Sequence, residues 1–108
     1  MDTTPAYELL RTLASPICAL TSAHGGRTNG MILDSAIRAS ISAKIPRLGA
    51  YVHKWHLSHD LVAASGKFVL HVLHRGQLEL VHQLGFMSGR DGDKLAAVPH
   101  RITAEGLP

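Results

Sequence analysis

Apolar residues recur along the chain in short bursts, each cut off by glycine, proline or a polar cluster. Leu9, Leu10 and Leu13 share one helical face within the stretch Met1 to Ala14, and Pro16 ends that pattern. ICALTS, Ile17 to Ser22, reads as a strand, and AHGGRTNG after it reads as a loop rich in Gly and Asn. MILDSAIRASIS, Met31 to Ser42, reads as a strand with a polar interruption at Asp34–Ser35. Pro46 punctuates, and LGAYVH, Leu48 to His53, is the next strand. Ser58 to Gly66 predicts a short helix, with Ser58 as its N-cap and Gly66 in the left-handed position past its last turn. FVLHVL, Phe68 to Leu73, has the β-branched and aromatic content of a strand. Leu78, Val81 and Leu84 lie three apart before Gly85, which predicts a short amphipathic helix. Ser88 to Lys94 reads as a polar loop, and Arg101 to Thr103 as a weak strand. Strands with two short helices between them argue for a small barrel with helical insertions rather than βαβ units.

Composition narrows the class. A chain of 108 residues allows one domain, and an apolar fraction of 45% is that of a globular protein. The net charge of +3 suits an anionic ligand such as a phosphate. Scattered basic residues and an aromatic content of 5% argue against nucleic acid. Cys18 is the one cysteine, so no internal disulfide forms, and its apolar run places it in the core. The first residues carry no basic segment of a signal peptide, and no apolar run approaches the ~18 residues of a membrane span. A cytoplasmic protein is the default expectation.

Five segments in order, PICALTS, NGMILDSAIRASIS, the Pro46 turn, SHDLVAASGKFVLHVL and LVHQLGFMSGRDGDK, resemble the flavin reductase-like family. The resemblance covers nearly everything from Leu9 onward. It implies a mainly β, α+β fold, the FMN-binding split β-barrel with short helices, with residues 1–108 as the N-terminal portion of the usual family domain. It further implies FMN or FAD as cofactor, held at the interface of a homodimer. NADH or NADPH would be the hydride donor, and a partner monooxygenase would receive the reduced flavin. Family domains commonly run to about 150 residues, within the ordinary single-domain range. Their later strands, with a Gly-Asp-His-like motif near the flavin and nicotinamide, would follow ITAEGLP, so the barrel expected here is incomplete. The turn at Lys44–Arg47 also lacks the paired prolines common in relatives.

A flavin needs donors for its phosphate, polar groups along its pyrimidine edge and apolar cover for its faces. By resemblance, Leu33, Asp34, Ser35 and Ala36 fall at the ring edge, although Asp34–Ser35 also fits a bulge that turns a barrel corner. Ser40, Ile41 and Ser42 fall on the continuation toward the ribityl chain. The phosphate is expected between Lys54 and His59, where Lys54 supplies charge and the helix starting at Ser58 offers free N–H groups. Arg90 and Lys94 are further phosphate candidates, and a solvated loop is the plain alternative for both. No acid–base residue is assigned, because the flavin supplies the chemistry and the protein holds the two rings together.

Other chemistries find less support. His53, His56 and His59 lie three apart, but across a strand end and a cap such residues do not share a face, so no metal site is expected. There is no GxSxG elbow, P-loop or GxGxxG. Two functions stay open on sequence: an NAD(P)H-dependent flavin reductase, and a non-catalytic flavin-binding or structural split-barrel domain.

Overall fold

The computed structural model describes residues 4–13 and 15–108. The ends of the expected first helix, Met1 to Thr3 and Ala14, lie outside the described residues. Helix α1, Pro5–Leu10, starts where Thr4 Oγ1 accepts the Tyr7 N–H at 3.2 Å and Pro5 supplies a preset φ. None of its residues is buried, so the leucine face seen in the sequence stays open.

The centre is a hairpin of β1, Cys18–His24, and β2, Arg27–Leu33, paired antiparallel from Cys18↔Leu33 to His24↔Arg27. Only Gly25 and Gly26 connect them, with φ of 60° and 78°. A two-residue hairpin turn that needs positive φ at both positions selects glycine. The loop expected over residues 23–30 therefore shrinks to these two residues, and Asn29–Gly30 join the strand. β3, Ile37–Arg38, and β4, Leu48–Gly49, form a separate two-stranded sheet. The two longer strands expected there are thus reduced to short pieces, because β2 leaves its sheet at Asp34. After α2, Leu57–Ser65, strand β5, Val69–Val72, returns antiparallel to the other side of β1, giving the order β2-β1-β5. A 3₁₀ turn, Arg75–Gln77, leads into α3, Leu78–Gly85. Arg101–Thr103 forms no strand; Thr103 and Leu107 close a turn instead.

β1 is buried from Cys18 to Ser22 because both faces of the sheet are covered. On one face Cys18 and Leu20 pack with Met31, Leu33 and Ala36, and Val62 of α2 closes over them. On the other, Ala19 packs with Leu84 and Leu95. Gly30 lets this second layer approach, since a Cβ there would stand 3.2–3.3 Å from the Leu95 and Leu84 methyls. The apolar stripe of α3 runs through Leu80 and Leu84, four apart, and Leu78 points outward at 74% exposure. The sequence spacing of 78, 81 and 84 picked a neighbouring stripe.

This arrangement separates two leucines on one helix. Leu84→Ala is expected to lower the unfolding free energy by about 2–5 kcal/mol, as core truncations do. Leu78→Ala should change it by less than about 0.5 kcal/mol. Urea titrations of both variants check this, and equal losses would contradict the assigned face.

Candidate functional site

β2 is an edge strand, and two cavities lie along its free side. The first, about 450 Å³, is walled by Asn29 of β2, by His56 and Ser58 at the start of α2, by the chain from Leu84 to Gly89, and by Lys94. The second, about 480 Å³, is walled by Leu33, Asp34 and Ser35 and by Tyr51, Val52 and His53. Met31, Ile32 and His56 line both. Consecutive strand residues face opposite sides of a sheet, so cavities lined by both Met31 and Ile32 lie across the strand's edge. Their volumes suit a small-molecule ligand.

The first cavity is built from polar groups held in place by buried contacts. Asn29 Nδ2 donates to Ser58 Oγ at 2.9 Å, and both residues are buried. Ser58 is therefore not the helix cap expected from sequence. His56 occupies the N-cap position and makes no side-chain cap bond. The N–H groups of Leu57 and Ser58 have no carbonyl to meet within the helix, which leaves its positive end facing the cavity. At the other end of α2, Gly66 takes the left-handed conformation, as the sequence indicated. Gly89 lies so close to the Asn29 carboxamide that a Cβ there would overlap it.

Lys94 is no solvated loop residue. It is only 7% exposed, and its Nζ donates to the Leu84 carbonyl at 2.8 Å, at the negative end of α3. Burial pushes its ammonium below the usual lysine range. Among the described residues it has no carboxylate partner. Arg90 does have one: it pairs with Asp60 in the first turn of α2, and its Nε donates to the Trp55 carbonyl at 3.1 Å. The bond from Arg90, and then that from His59, hold the Asp60 carboxyl below the usual range. Arg90 thus braces the loop after α3 against α2, with its charge already matched.

His56 is flanked by His53, whose ring meets it edge-on at 5.5 Å and stacks on Trp55 at 4.6 Å. The buried Nδ1 of His56 has no hydrogen-bond partner among the described residues. Burial, then His53, Lys94 and Arg90, lower its affinity for a proton.

In the second cavity Ser35 Oγ donates to the Tyr51 carbonyl at 2.9 Å and accepts the Tyr51 N–H at 3.3 Å, tying its two walls together. Asp34 is exposed at the rim, and Ala36 is buried in the core beneath. The structure therefore brings Leu33, Asp34, Ser35, Ser58 and Lys94 to one pair of cavities. It places Ser40, Ile41 and Ser42 elsewhere, in a third cavity on the β3–β4 hairpin with Arg38 and Arg47. Lys54 is exposed on the turn before α2. Asn29, His56 and Gly89 were not singled out as site residues by sequence; Asn29 and Gly89 read as loop and turn, and His56 as one of several histidines. Among the described residues no group of three His, Cys, Asp or Glu side chains is placed to hold a metal ion, and no helix is long and apolar enough to cross a membrane.

Comparison with known proteins follows the same lines. The model of the flavin reductase like domain matches residues 10–108. A high molecular weight rubredoxin of Moorella thermoacetica is 33% identical over 109 residues, which is 100% of this chain and 45% of that protein. The FMN-binding protein from Thermus thermophilus superposes with a TM-score of 0.82 at 25% identity, over 100% of this chain and 59% of its own. A nitrilotriacetate monooxygenase component B homolog from Mycobacterium thermoresistibile gives 0.77 at 25% identity, over 93% and 53%. The chain spans about half the length of these relatives.

The tight contact at Gly89 provides a test of the site's construction. Gly89→Ala must displace the Asn29 carboxamide, and overpacking of this kind costs about 1–3 kcal/mol. Gly92→Ala, whose methyl would meet only Met87 at 3.6 Å, should be close to neutral. Denaturant unfolding of the two variants distinguishes them, and a neutral Gly89→Ala would show that Asn29 is free to move.

Proposed function

The chain belongs to the flavin reductase-like domain family, with the FMN-binding split-barrel fold, and on that premise we propose that the paired cavities on β2 hold a flavin nucleotide. The observation that carries the proposal is the division of labour between them. One cavity gathers a helix N-terminus, a buried lysine with no carboxylate partner among the described residues and the His56 imidazole, a set suited to phosphate. The adjoining one offers apolar Leu33 and Val52 with Asp34 and Ser35 at its edge, which suits a flat ring with a polar rim.

In this reading Ser58 and Leu57 present backbone N–H groups to the phosphate, and Lys94 supplies charge from below. Asn29 holds Ser58, and through it the start of α2, against β2. Arg90 contributes by bracing, and Lys54 by long-range attraction from the surface. Leu33, Asp34 and Ser35 orient the ring end, and Ser35 keeps the Tyr51 wall at a fixed distance. A bound flavin would supply the redox chemistry, as the acceptor for a hydride from NADH or NADPH. The protein's part is to exclude water and hold the donor face to face with the ring. The relative named as a monooxygenase component supports a partner oxygenase as the consumer of reduced flavin.

A homodimer is part of the proposal. Ile41, Tyr51, Trp55, Leu78 and Phe86 are exposed, and covering such side chains at an interface would remove apolar area from water. The radius of gyration of 15.1 Å exceeds the about 13 Å of a compact chain of this length. Sedimentation over a wide concentration range should show association that strengthens with FMN. A monomer at every concentration that still binds FMN tightly would contradict it.

Titrating FMN into the purified protein, followed by flavin absorbance and fluorescence, should give saturable binding, and added NADH or NADPH should then be oxidised. A yellow protein that oxidises neither nucleotide would be a flavin-holding domain and not a reductase. A folded protein that binds no flavin would overturn both readings. Lys54→Glu should weaken FMN binding about two- to fivefold at low salt and very little near 1 M, where charges are screened within about 3 Å. Lys54→Gln should lie between Lys54→Glu and the unaltered protein. Unchanged affinity in both variants would leave the phosphate to Lys94 and the helix end alone.

A further inference from the structure

We propose that His56 makes the site select a phosphorylated flavin over its unphosphorylated counterpart, by taking up a proton as the phosphomonoester enters. The inference rests on the reading of the paired cavities as a flavin site and adds to it a residue and a proton.

Three observations place His56 in this role. It is the only titratable side chain on the wall common to both cavities among the described residues, beside Met31 and Ile32. Its ring makes no hydrogen bond among the described residues, and because Nδ1 is buried, Nε2 is the nitrogen left to meet a ligand atom. It stands at the N-cap of α2, next to the unbonded N–H groups on which an anion would rest.

The charges around the ring set the sign. From its own segment comes His53, edge-on at 5.5 Å; from the chain after α3 come Lys94 and Arg90. The nearest carboxylate on α2, Asp60, is engaged by Arg90 and His59. The β2 residues lining the first cavity, Asn29, Met31 and Ile32, bring no charge, and on the second cavity Asp34 brings a carboxylate that is exposed at the rim. With no anion present, burial and these basic neighbours disfavour the imidazolium. A phosphate dianion beside the ring reverses that balance and raises its proton affinity. Affinity for the phosphate then increases as pH falls through the His56 pKa of the complex and levels off below that of the free protein. The phosphate's own ionisation near pH 6 works in the opposite direction, because the monoanion is held less strongly. Riboflavin has no phosphate and feels neither effect.

The test compares FMN and riboflavin binding between about pH 5.5 and pH 8.5, the range over which histidine titrates, in the unaltered protein and in His56→Gln. Glutamine keeps a hydrogen-bonding side chain but cannot take a proton. In the unaltered protein the preference for FMN should grow as pH falls from about 8.5 toward the phosphate's own ionisation at about pH 6, by about tenfold for each unit by which the ligand raises the pKa. His56→Gln should lose this excess, and its ratio of FMN to riboflavin affinity should follow only the phosphate's own titration. The second readout is the His56 imidazole followed by NMR in the unaltered protein, whose midpoint should move to higher pH when FMN is saturating. Identical pH profiles in both proteins, or an unmoved His56 midpoint, would overturn the role of His56 while leaving flavin binding intact. Failure of FMN and riboflavin to bind at any pH would overturn the flavin reading itself, and this proposal with it.

Discussion

The hydrogen bond from Asn29 to Ser58 joins the edge of β2 to the first turn of α2, and both of its ends are buried. Its net contribution is about 1 kcal/mol, but leaving either group unpaired in that interior would cost more. It therefore fixes where α2 begins relative to the sheet edge. His56, the open N–H groups of Leu57 and Ser58, and the Arg90–Asp60 pair all take their positions from that point. Gly89 reinforces the arrangement from the other side, because only a residue without a side chain fits against the Asn29 carboxamide.

Electrostatics follow from that geometry. Lys94 and a helix N-terminus converge on one cavity, and Asp60, in the first turn of that helix, is engaged by Arg90. Lys94 can remain buried because the Leu84 carbonyl at the end of α3 accepts a hydrogen bond from its ammonium. The same lysine thus closes a helix and leaves an unmatched charge at the cavity wall. Such a site has a cost in the absence of an anion, and it gains from one.

Much of the fold was legible in the sequence. The apolar run at Cys18 to Thr21 marks a strand covered on both faces, and Gly66 marks the end of α2 by its left-handed conformation. Ser58 was misread because a serine at the start of a helical pattern looks the same whether it caps the helix or meets a buried partner. Here the partner is Asn29, which lies 29 residues earlier. Lys94 in a run of Gly and Asp fits a phosphate contact and a solvated loop equally, and the packing of α3 against Leu95 brings it inside. α3 carries more apolar positions than one face can use, so spacing alone finds Leu84 but does not choose Leu80 over Leu78. Within the site, the family resemblance puts Leu33 to Ser35 at a ring edge, and the structure places them along the second cavity. The assembly with His56 and Gly89 was not, because it depends on three segments meeting at one sheet edge.

The most direct test of the paired-cavity assignment is an amide-resolved NMR titration with FMN. The largest shifts should fall on Leu57 and Ser58 at one end and on Asp34 and Ser35 at the other, with Gly89 moving alongside Asn29. Shifts confined to Ser40–Ser42 on the hairpin, or to the Thr21 and His71 face of the sheet, would place the ligand elsewhere and contradict the assignment.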